Sequence, residues 1–325
     1  MKDSRRRFWA TTLGFGTIAI VWVQLSTPSS MTAQPAYSDW SAPVSLGPVI
    51  NSTANEAGPA LSKDRLRLYF GSNRSGSLGG TDIWVSKRSR VEEAWGPPVN
   101  LGEVVNSTAD ETAPNLSRDG HWLYFMSRRP GSQANAAGVI GFDIWVSHRD
   151  HVHDDFDWQP PVNVGPNINS PSFDQSPFFF DNEELGVPQL FFTRTTAITG
   201  NDIFVSNLLP NGTFGPATLV AELNSALADA GASIRFDGLE VFFFSRRAGG
   251  LGNSDLWTAT RDTVFDPWSA PTPLGPVVNS VDLDFDPHIA SDRETLYFAS
   301  TRTGAGAVGG QDLYVTTRTK EKHKP

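Results

Sequence analysis

The 325-residue sequence has no cysteine and only three methionines. Without a thiol there is no disulfide framework, no thiolate nucleophile, no cysteine-based metal site and no lipid anchor on cysteine, so stability has to come from packing. Motifs that announce particular chemistries are missing too: no Gly-x-Ser-x-Gly elbow, no His-Glu-x-x-His helix, no phosphate-cradling glycine loop and no EF-hand loop. Positive charge is in short supply, with 26 Lys and Arg against 35 Asp and Glu for a net charge of −9, which argues against nucleic acid and anionic membrane surfaces as partners. Residues that favour long helices are sparse. Glycine (29), proline (23) and aromatics (11%) are plentiful instead, the composition of an all-β chain rich in turns.

The first 36 residues read as an export signal rather than as part of the fold. Residues 1–7 are basic, residues 8–25 are mostly apolar, and small and polar residues follow to position 36. The apolar core falls short of the roughly 20 residues that span a bilayer. Ser4, Arg5, Arg6, Arg7 and Phe8 match a twin-arginine signal, and the same stretch also serves as an ordinary Sec signal with three arginines. Either route places the mature protein in the periplasm or outside the cell, with no membrane attachment once the signal is removed. Because the leader carries four basic residues against one acid, the mature chain is more acidic than the whole.

Internal repetition organises residues 37–319. Five segments open at Trp40, Trp95, Trp158, Phe214 and Trp268, spaced 54 to 63 residues apart. Each is followed by an Asn-Ser pair at Asn51, Asn106, Asn169, Asn224 and Asn279, and five residues after each Asn stands an acid: Glu56, Glu111, Asp174, Asp229 and Asp284. An alternating aromatic strand comes next (Leu68-Tyr69-Phe70 in the first copy), then a glycine-rich loop, then Asp82-Ile83-Trp84 or its equivalent at Asp143, Asp202, Asp255 and Asp312. Period-two alternation bounded by turn residues gives four strands per copy, here lettered A to D. A four-stranded sheet repeating every 55 residues or so cannot bury both of its faces alone, and stacking around an axis is the solution; the expectation is a five-bladed β-propeller. The chain starts with a D strand at 40–46 and ends on an A-B-C set, so the two ends should complete one blade and remove the open edges. Residues 320–325 form a charged tail.

The run from Ser117 to Arg129, with Asp119-Gly120 and Leu123-Tyr124-Phe125, followed by Asp143-Ile144-Trp145-Val146, resembles the WD-repeat-like propeller repeat of TolB and tricorn protease. The resemblance covers residues 40–318 and implies a propeller. It differs from TolB in showing five blades rather than six and no separate amino-terminal domain, and it carries no hydrolase domain, so peptidase activity is not implied.

Tracing the chain through a blade puts the D-to-A and B-to-C loops on one face and the A-to-B and C-to-D turns on the other. With strand A innermost, Glu56, Glu111, Asp174, Asp229 and Asp284 should surround a channel mouth, where crowded carboxylates either pair with cations or hold a divalent ion such as calcium. Arg74, Arg129, Arg247 and Arg302 end strand B on that face and suit structural ion pairs. In the third copy Arg194 is out of register, which leaves Asp174 without its usual partner and, beside the long loop 130–141 of the second copy, suggests a groove. Asp82, Asp143, Asp202, Asp255 and Asp312 are placed to cap the glycine-rich turns through backbone amides. On the opposite face His148, His151, His153 and Asp155 have ligand types that suit zinc or nickel, the alternative being a solvated loop.

Architecture repeated in every copy without a catalytic constellation points to a monomeric, cofactor-free scaffold that docks a protein or a cell-envelope polysaccharide through its polar loop face, rather than to an enzyme. The rival reading is a glycan-active enzyme using Asp174, Asp229 and Asp284, since two carboxylates about 5–9.5 Å apart can divide the work of acid and nucleophile or base. If each acid sits within bonding distance of an arginine, the enzyme reading fails; a pair of unpartnered carboxylates in an open funnel would favour it.

Overall fold

The computed structural model describes residues 37–321 apart from 136 and 305; the expected export signal, 1–36, and most of the charged tail lie outside the described residues. Among those described, no helix is long and apolar enough to cross a membrane, and the one helical element is a three-residue 3-10 turn, Ala221–Leu223. Everything else is strand and turn. Five antiparallel four-stranded sheets follow in chain order. The first holds β2 (Glu56–Leu61), β3 (Arg67–Ser72), β4 (Asp82–Lys87) and β5 (Val99–Asn100), and the second β6 (Glu111–Leu116), β7 (Trp122–Ser127), β8 (Asp143–His148) and β9 (Val162–Asn163). The third contains β10 (Asp174–Phe180), β11 (Gln189–Thr196), β12 (Gly200–Asn207) and β13 (Thr218–Leu219), and the fourth β14 (Asp229–Ile234), β15 (Glu240–Ser245), β16 (Asp255–Thr260) and β17 (Thr272–Pro273). The fifth is built from both ends of the domain: β18 (Asp284–Ile289), β19 (Thr295–Ser300) and β20 (Asp312–Thr317), completed by β1 (Val44–Ser45).

Each first strand packs against the first strand of the next blade, and β18 returns to β2, so the sheets close into a five-bladed propeller with strand A innermost. The seam is the expected one. Val44 and Ser45 pair with Val315 and Tyr314, and the ladder is extended by Ser41 N donating to Thr317 O at 2.8 Å and Leu46 N to Leu313 O at 3.0 Å.

The aromatic B strands and the C strands supply the core between blades. Tyr69, Phe70, Phe125, Phe192, Phe242, Phe243 and Phe298 are almost wholly buried, as are Ile83, Ile144, Ile203, Leu256 and Leu313. The aromatic after the Asp-Ile or Asp-Leu pair is also inside in four of the five blades, at Trp84, Trp145, Trp257 and Tyr314, which excludes those rings from stacking on a sugar; Phe204 of blade three is only half-buried. Every D-to-A connection is held the same way. The Asn of the Asn-Ser pair bonds both backbone groups of a C-strand residue in the preceding sheet, for example Asn106 Nδ2 to Ile83 O at 3.0 Å and Ile83 N to Asn106 Oδ1 at 2.8 Å. Asn51 does the same to Leu313 across the seam.

A shared irregularity shapes the axis. In every inner strand the pairing register shifts by one residue, a β-bulge. The bulged residue takes positive φ in all five: Gly58 (59°), Ala113 (48°), Ser176 (46°), Gly231 (64°) and Asp286 (48°). Glycine adopts this conformation freely; Ala, Ser and Asp do so at a cost of about 1–2 kcal/mol each. At Gly58 the close approach of the Ala113 backbone adds a second reason, since a Cβ would come within 2.7 Å of Ala113 Cα.

Candidate functional site

The five repeated acids begin the inner strands, but they do not line an open mouth: Glu56, Glu111, Asp174, Asp229 and Asp284 are all 0% exposed. Glu111 is typical. Its carboxylate accepts Ser107 N at 2.7 Å, Ser107 Oγ at 2.7 Å and Ser127 Oγ at 2.6 Å, and lies 3.2 Å from the Arg129 guanidinium. Arg74 is 3.0 Å from Glu56, Arg247 2.6 Å from Asp229 and Arg302 2.5 Å from Asp284. Each arginine also donates to the backbone carbonyl just before the Asn-Ser pair, as at Arg302 to Val278 O (2.8 Å), and lies over two aromatic rings, Arg302 over Phe298 and Tyr314. With every carboxylate oxygen covered by serine and arginine, these residues clamp the D-to-A loop to the B-to-C loop. They hold one another rather than a ligand.

Blade three corrects the expectation that Asp174 lacks a partner. Arg194 pairs across the ladder with Asp174 itself, where the other blades carry a serine. From there its Nε reaches Asp174 Oδ1 at 2.7 Å, and its guanidinium meets Ile168 O and the rings of Phe192 and Phe204. The long side chain makes up for the two-residue displacement. The serine hydroxyl it replaces is lost, and burial, only partly offset by Arg194, pushes the Asp174 carboxyl up to about 6. The expected groove beside it is also filled. Loop 130–141 folds on itself through an Ala134–Ile140 bridge, Gln133 Nε2 donates to Asn169 O at 2.7 Å, and Gly141 packs so tightly on Phe173 that a Cβ there would lie 2.5 Å from its ring.

The aspartates heading the C strands meet loop amides. Asp82 accepts Leu78 N at 2.7 Å and Gly79 N at 3.2 Å, Asp143 accepts Gln133 N at 3.0 Å, Asp255 accepts Leu251 N at 2.9 Å and Gly252 N at 3.1 Å, and Asp312 accepts Val308 N at 2.6 Å and Gly309 N at 3.1 Å. Asp202 differs because its B-to-C connection is short: it takes the hydroxyls of Thr196 (2.7 Å) and Thr199.

The histidine-rich loop does not form a metal cluster. Asp155 turns inward to Arg67 Nε at 2.7 Å, Lys87 Nζ at 2.8 Å and the Tyr69 hydroxyl at 3.1 Å, tying blade two to blade one. Burial would raise its carboxyl, but Lys87 and Arg67 override this and hold it below its ordinary value. His148 lies against Trp122 and His121, and His151 bonds Asp157 at 2.8 Å on the surface. Among the described residues no three His, Asp or Glu side chains are gathered as a metal site requires.

What the repeat pattern did not bring forward lies on the axis. The bulge ring and the residues next to it surround a small axial chamber, open to solvent and with about 40 Å³ of free space, lined by Gly58, Pro59, Ala113, Pro114, Ser176, Pro177, Gly231, Ala232, Asp286 and Pro287, with Asn115, Phe178 and His288 at the end nearer the A-to-B turns. Phe178 and His288 face one another there, ring centroids 6.4 Å apart. Most of this lining is small and covered; Ser176, Phe178, Asp286 and His288 are the side chains left partly exposed. Asp286 is flanked by Gly231 and Gly58, the bulge residues of the neighbouring blades, and accepts the Gly58 amide. Among the described residues it has no ion pair. Burial, hardly relieved by that single amide, pushes its carboxyl up to about 6. His288 Nε2 accepts the Leu61 amide at 3.1 Å, which puts the proton of the neutral ring on Nδ1. Burial lowers the pKa of His288 to about 4. Between about pH 4 and 6 a carboxylic acid and a neutral imidazole, two residues apart on one strand, are therefore present together at the chamber; above about 6 Asp286 becomes a carboxylate while His288 stays neutral.

The signal for this site was in the sequence. Aligning the five copies places Gly58, Ala113, Ser176, Gly231 and Asp286 at one position and Ala60, Asn115, Phe178, Ser233 and His288 at another. One copy carries titratable groups at both.

No family model and no curated protein matches the chain. Solved structures do. An α-L-arabinofuranosidase from Lactobacillus brevis is 13% identical, covering 82% of this chain and 91% of its own, with a TM-score of 0.56. The α-L-arabinofuranosidase of Podospora anserina, solved with cellotriose, is 12% identical over 86% and 96% of the two chains at 0.56. The catalytic domain of the GH62 α-L-arabinofuranosidase of Coprinopsis cinerea is 14% identical over 88% and 98% at 0.57. At these identities the likeness is one of fold. It corrects the assignment to the TolB and tricorn type, because the matched propellers are glycosidases; the Asp-Gly turn, aromatic B strand and Asp-Ile-Trp C strand describe how a blade packs, which does not distinguish one propeller group from another. The same finding corrects the expectation of a non-catalytic scaffold, while the cellotriose and xylotriose held by two of the matched proteins agree with the polysaccharide half of the expected partners. The chain has the fold of glycoside hydrolase β-propellers.

Proposed function

We propose that this protein is a glycan-active propeller that cleaves a glycosidic bond presented at the axial opening, with Asp286 as the acid. The observation that carries the reading is the break in five-fold symmetry: four bulge positions hold Gly, Ala, Ser and Gly, and the fifth presents an unpaired carboxyl. Its fold neighbours act on arabinofuranosides, and two of them were solved with cellotriose or xylotriose. Asp286 protonates the leaving glycosidic oxygen as the bond breaks, water adds its hydroxyl to the anomeric carbon, and the proton released restores the acid. His288 Nδ1 and Asn115 supply hydrogen bonds to hydroxyls. Asp174, Asp229 and Asp284, tied to their arginines, take no part. The signal-like start of the chain fits action outside the cytoplasm.

The test is a panel of aryl glycosides and branched pentose polymers given to the full chain and to Asp286→Asn, with released monosaccharide as the readout. The expected result is monosaccharide release by the parent, declining as pH rises above about 6 where Asp286 ionises, and at least a hundredfold loss in the variant, in keeping with the typical contribution of a positioned acid. Turnover undiminished in Asp286→Asn, or no release and no saturable binding across the panel, refutes the assignment.

A further inference from the structure

On the far side of the Phe178–His288 constriction, the A-to-B turns surround a second opening that the proposed reaction does not use. It is a narrow funnel with about 40 Å³ of free space, whose lining includes Phe178, Phe236, Asn115, Asp181 and His288. A larger lateral recess of about 410 Å³ runs outward between blades one and two, past Asp64, Arg67, Asp119, Arg149 and His153. The two share Ser62, Lys63 and Arg118, so they form one groove from the axis to the blade seam with Lys63 and Arg118 at its middle.

The charges of this groove are unevenly engaged. Arg67 is bonded to Asp155 at 2.7 Å and lies 3.6 Å from Asp64, and Arg149 sits 3.7 Å from Asp155 and donates to Gly120 O at 2.8 Å. Asp64 accepts Ser62 Oγ and Leu66 N; Asp119 accepts Ser117 Oγ and His121 N. Lys63 and Arg118 have no ion pair among the described residues. The Arg118 guanidinium instead lies 5.3 Å from the ring centre of Phe236, which belongs to blade four, so it reaches over the funnel mouth with its hydrogen-bonding edge left for another partner. Asp181, exposed and without an ion pair among the described residues, also lines the funnel; along the recess the cations Lys63, Arg67, Arg118 and Arg149 outnumber Asp64 and Asp119, an excess that makes the recess locally positive in a chain of net charge −9. Guanidinium takes a carboxylate or a sulfate through paired hydrogen bonds, and an adjacent aromatic face suits a sugar ring.

We infer that this groove is a second binding site, separate from the axial chamber, for an anionic glycan whose carboxylate or sulfate is held by Lys63 and Arg118 and whose ring lies against Phe236. The choice of a glycan among anions rests on the proposed function; the anion site itself does not. A polymer held on this face would keep its branches at high local concentration near the chamber.

Binding of a uronate-bearing oligosaccharide, its sulfated counterpart and its neutral counterpart is measured by calorimetry for the full chain, for Asp286→Asn and for Lys63→Gln/Arg118→Gln. The expected result is an acidic-over-neutral preference of about tenfold or more at low salt. It should survive Asp286→Asn, shrink as salt is raised, and fall to near unity in the double variant with an unchanged melting temperature. The larger of the carboxylate and sulfate preferences identifies the natural charge. Equal affinity for acidic and neutral sugars, a preference that outlasts the double substitution, or one that vanishes in Asp286→Asn, each overturns the site. Tight binding of inorganic sulfate with no sugar binding overturns the glycan assignment alone. If the neutral sugar is turned over while the acidic one gains nothing, the chamber reading stands and the groove falls.

Discussion

The start and the middle of each inner strand differ in kind. At the start, the acid and its arginine recur in all five blades with nearly the same partners, and the acid is wholly buried; in the middle, the side chain at the bulge changes from blade to blade, and only Ser176 and Asp286 are left partly exposed. A feature that every blade repeats is one that every blade needs in order to stand against its neighbour. A feature that occurs once has no such duty, and Asp286 even occupies a strained conformation at φ 48° that glycine would occupy freely. Function is to be sought where the repetition lapses.

The sharpest way to break this contrast is at the seam, where the repeated ladder depends on the two chain ends. Removing residues 37–47 deletes β1 and exposes the edge of β20, and the melting temperature should drop by more than 10 °C, with loss of cooperativity in thermal unfolding followed by circular dichroism. A truncated chain as stable as the parent would show that ring closure is dispensable. Next in size is Arg129→Met. Glu111 would remain buried with its serines but without its cation, a loss of about 3–5 kcal/mol, or on the order of 10 °C in a domain of this length. Turnover per folded molecule should stay within a factor of about two, unlike the loss expected for Asp286→Asn, which in turn should leave the melting temperature nearly intact.

The smallest effect concerns pH. Asp286 has its folded pKa raised from 3.8 to about 6, so its burial costs stability as pH rises through that interval. For His288 the folded pKa is lowered from 6.5 to about 4, so its contribution has the opposite sign, and stability is gained as pH rises from about 4 to 6.5. In the parent the two slopes oppose each other, with Asp174 adding to the first. Asp286→Asn should therefore become relatively more stable on raising pH from 4 to 6.5, and His288→Gln relatively less, a few degrees each in melting temperature. Parallel pH curves for the two variants would mean that neither group is perturbed as described.

Most of the architecture was legible because it is written five times. The Asn-Ser pairs, the acid five residues on, the aromatic B strand and the orphan D strand at 40–46 give strand count, blade number and closure directly. The bulge was not legible, since nothing in Glu-Thr-Ala-Pro or Asp-Phe-Asp-Pro announces positive φ at an alanine or an aspartate. That same repetition drew attention to acids that the structure ties to arginines: Asp174, Asp229 and Asp284 stand out by recurring, Asp286 only by failing to match its counterparts. Arg194 was misjudged because sequence register shows where a residue is attached and not how far its side chain extends. The His148 to Asp157 stretch looked like a ligand set because spacing alone does not show that Asp155 points inward.

The bridge between Tyr37 and Lys320 sets the entry and exit of the domain side by side on one blade. Joined there by a short linker and opened at any other D-to-A loop, the chain would trace the same circle from a different starting point. The ring thus has no privileged first blade, and the position of Asp286 within it is an address on a wheel rather than a distance from an end.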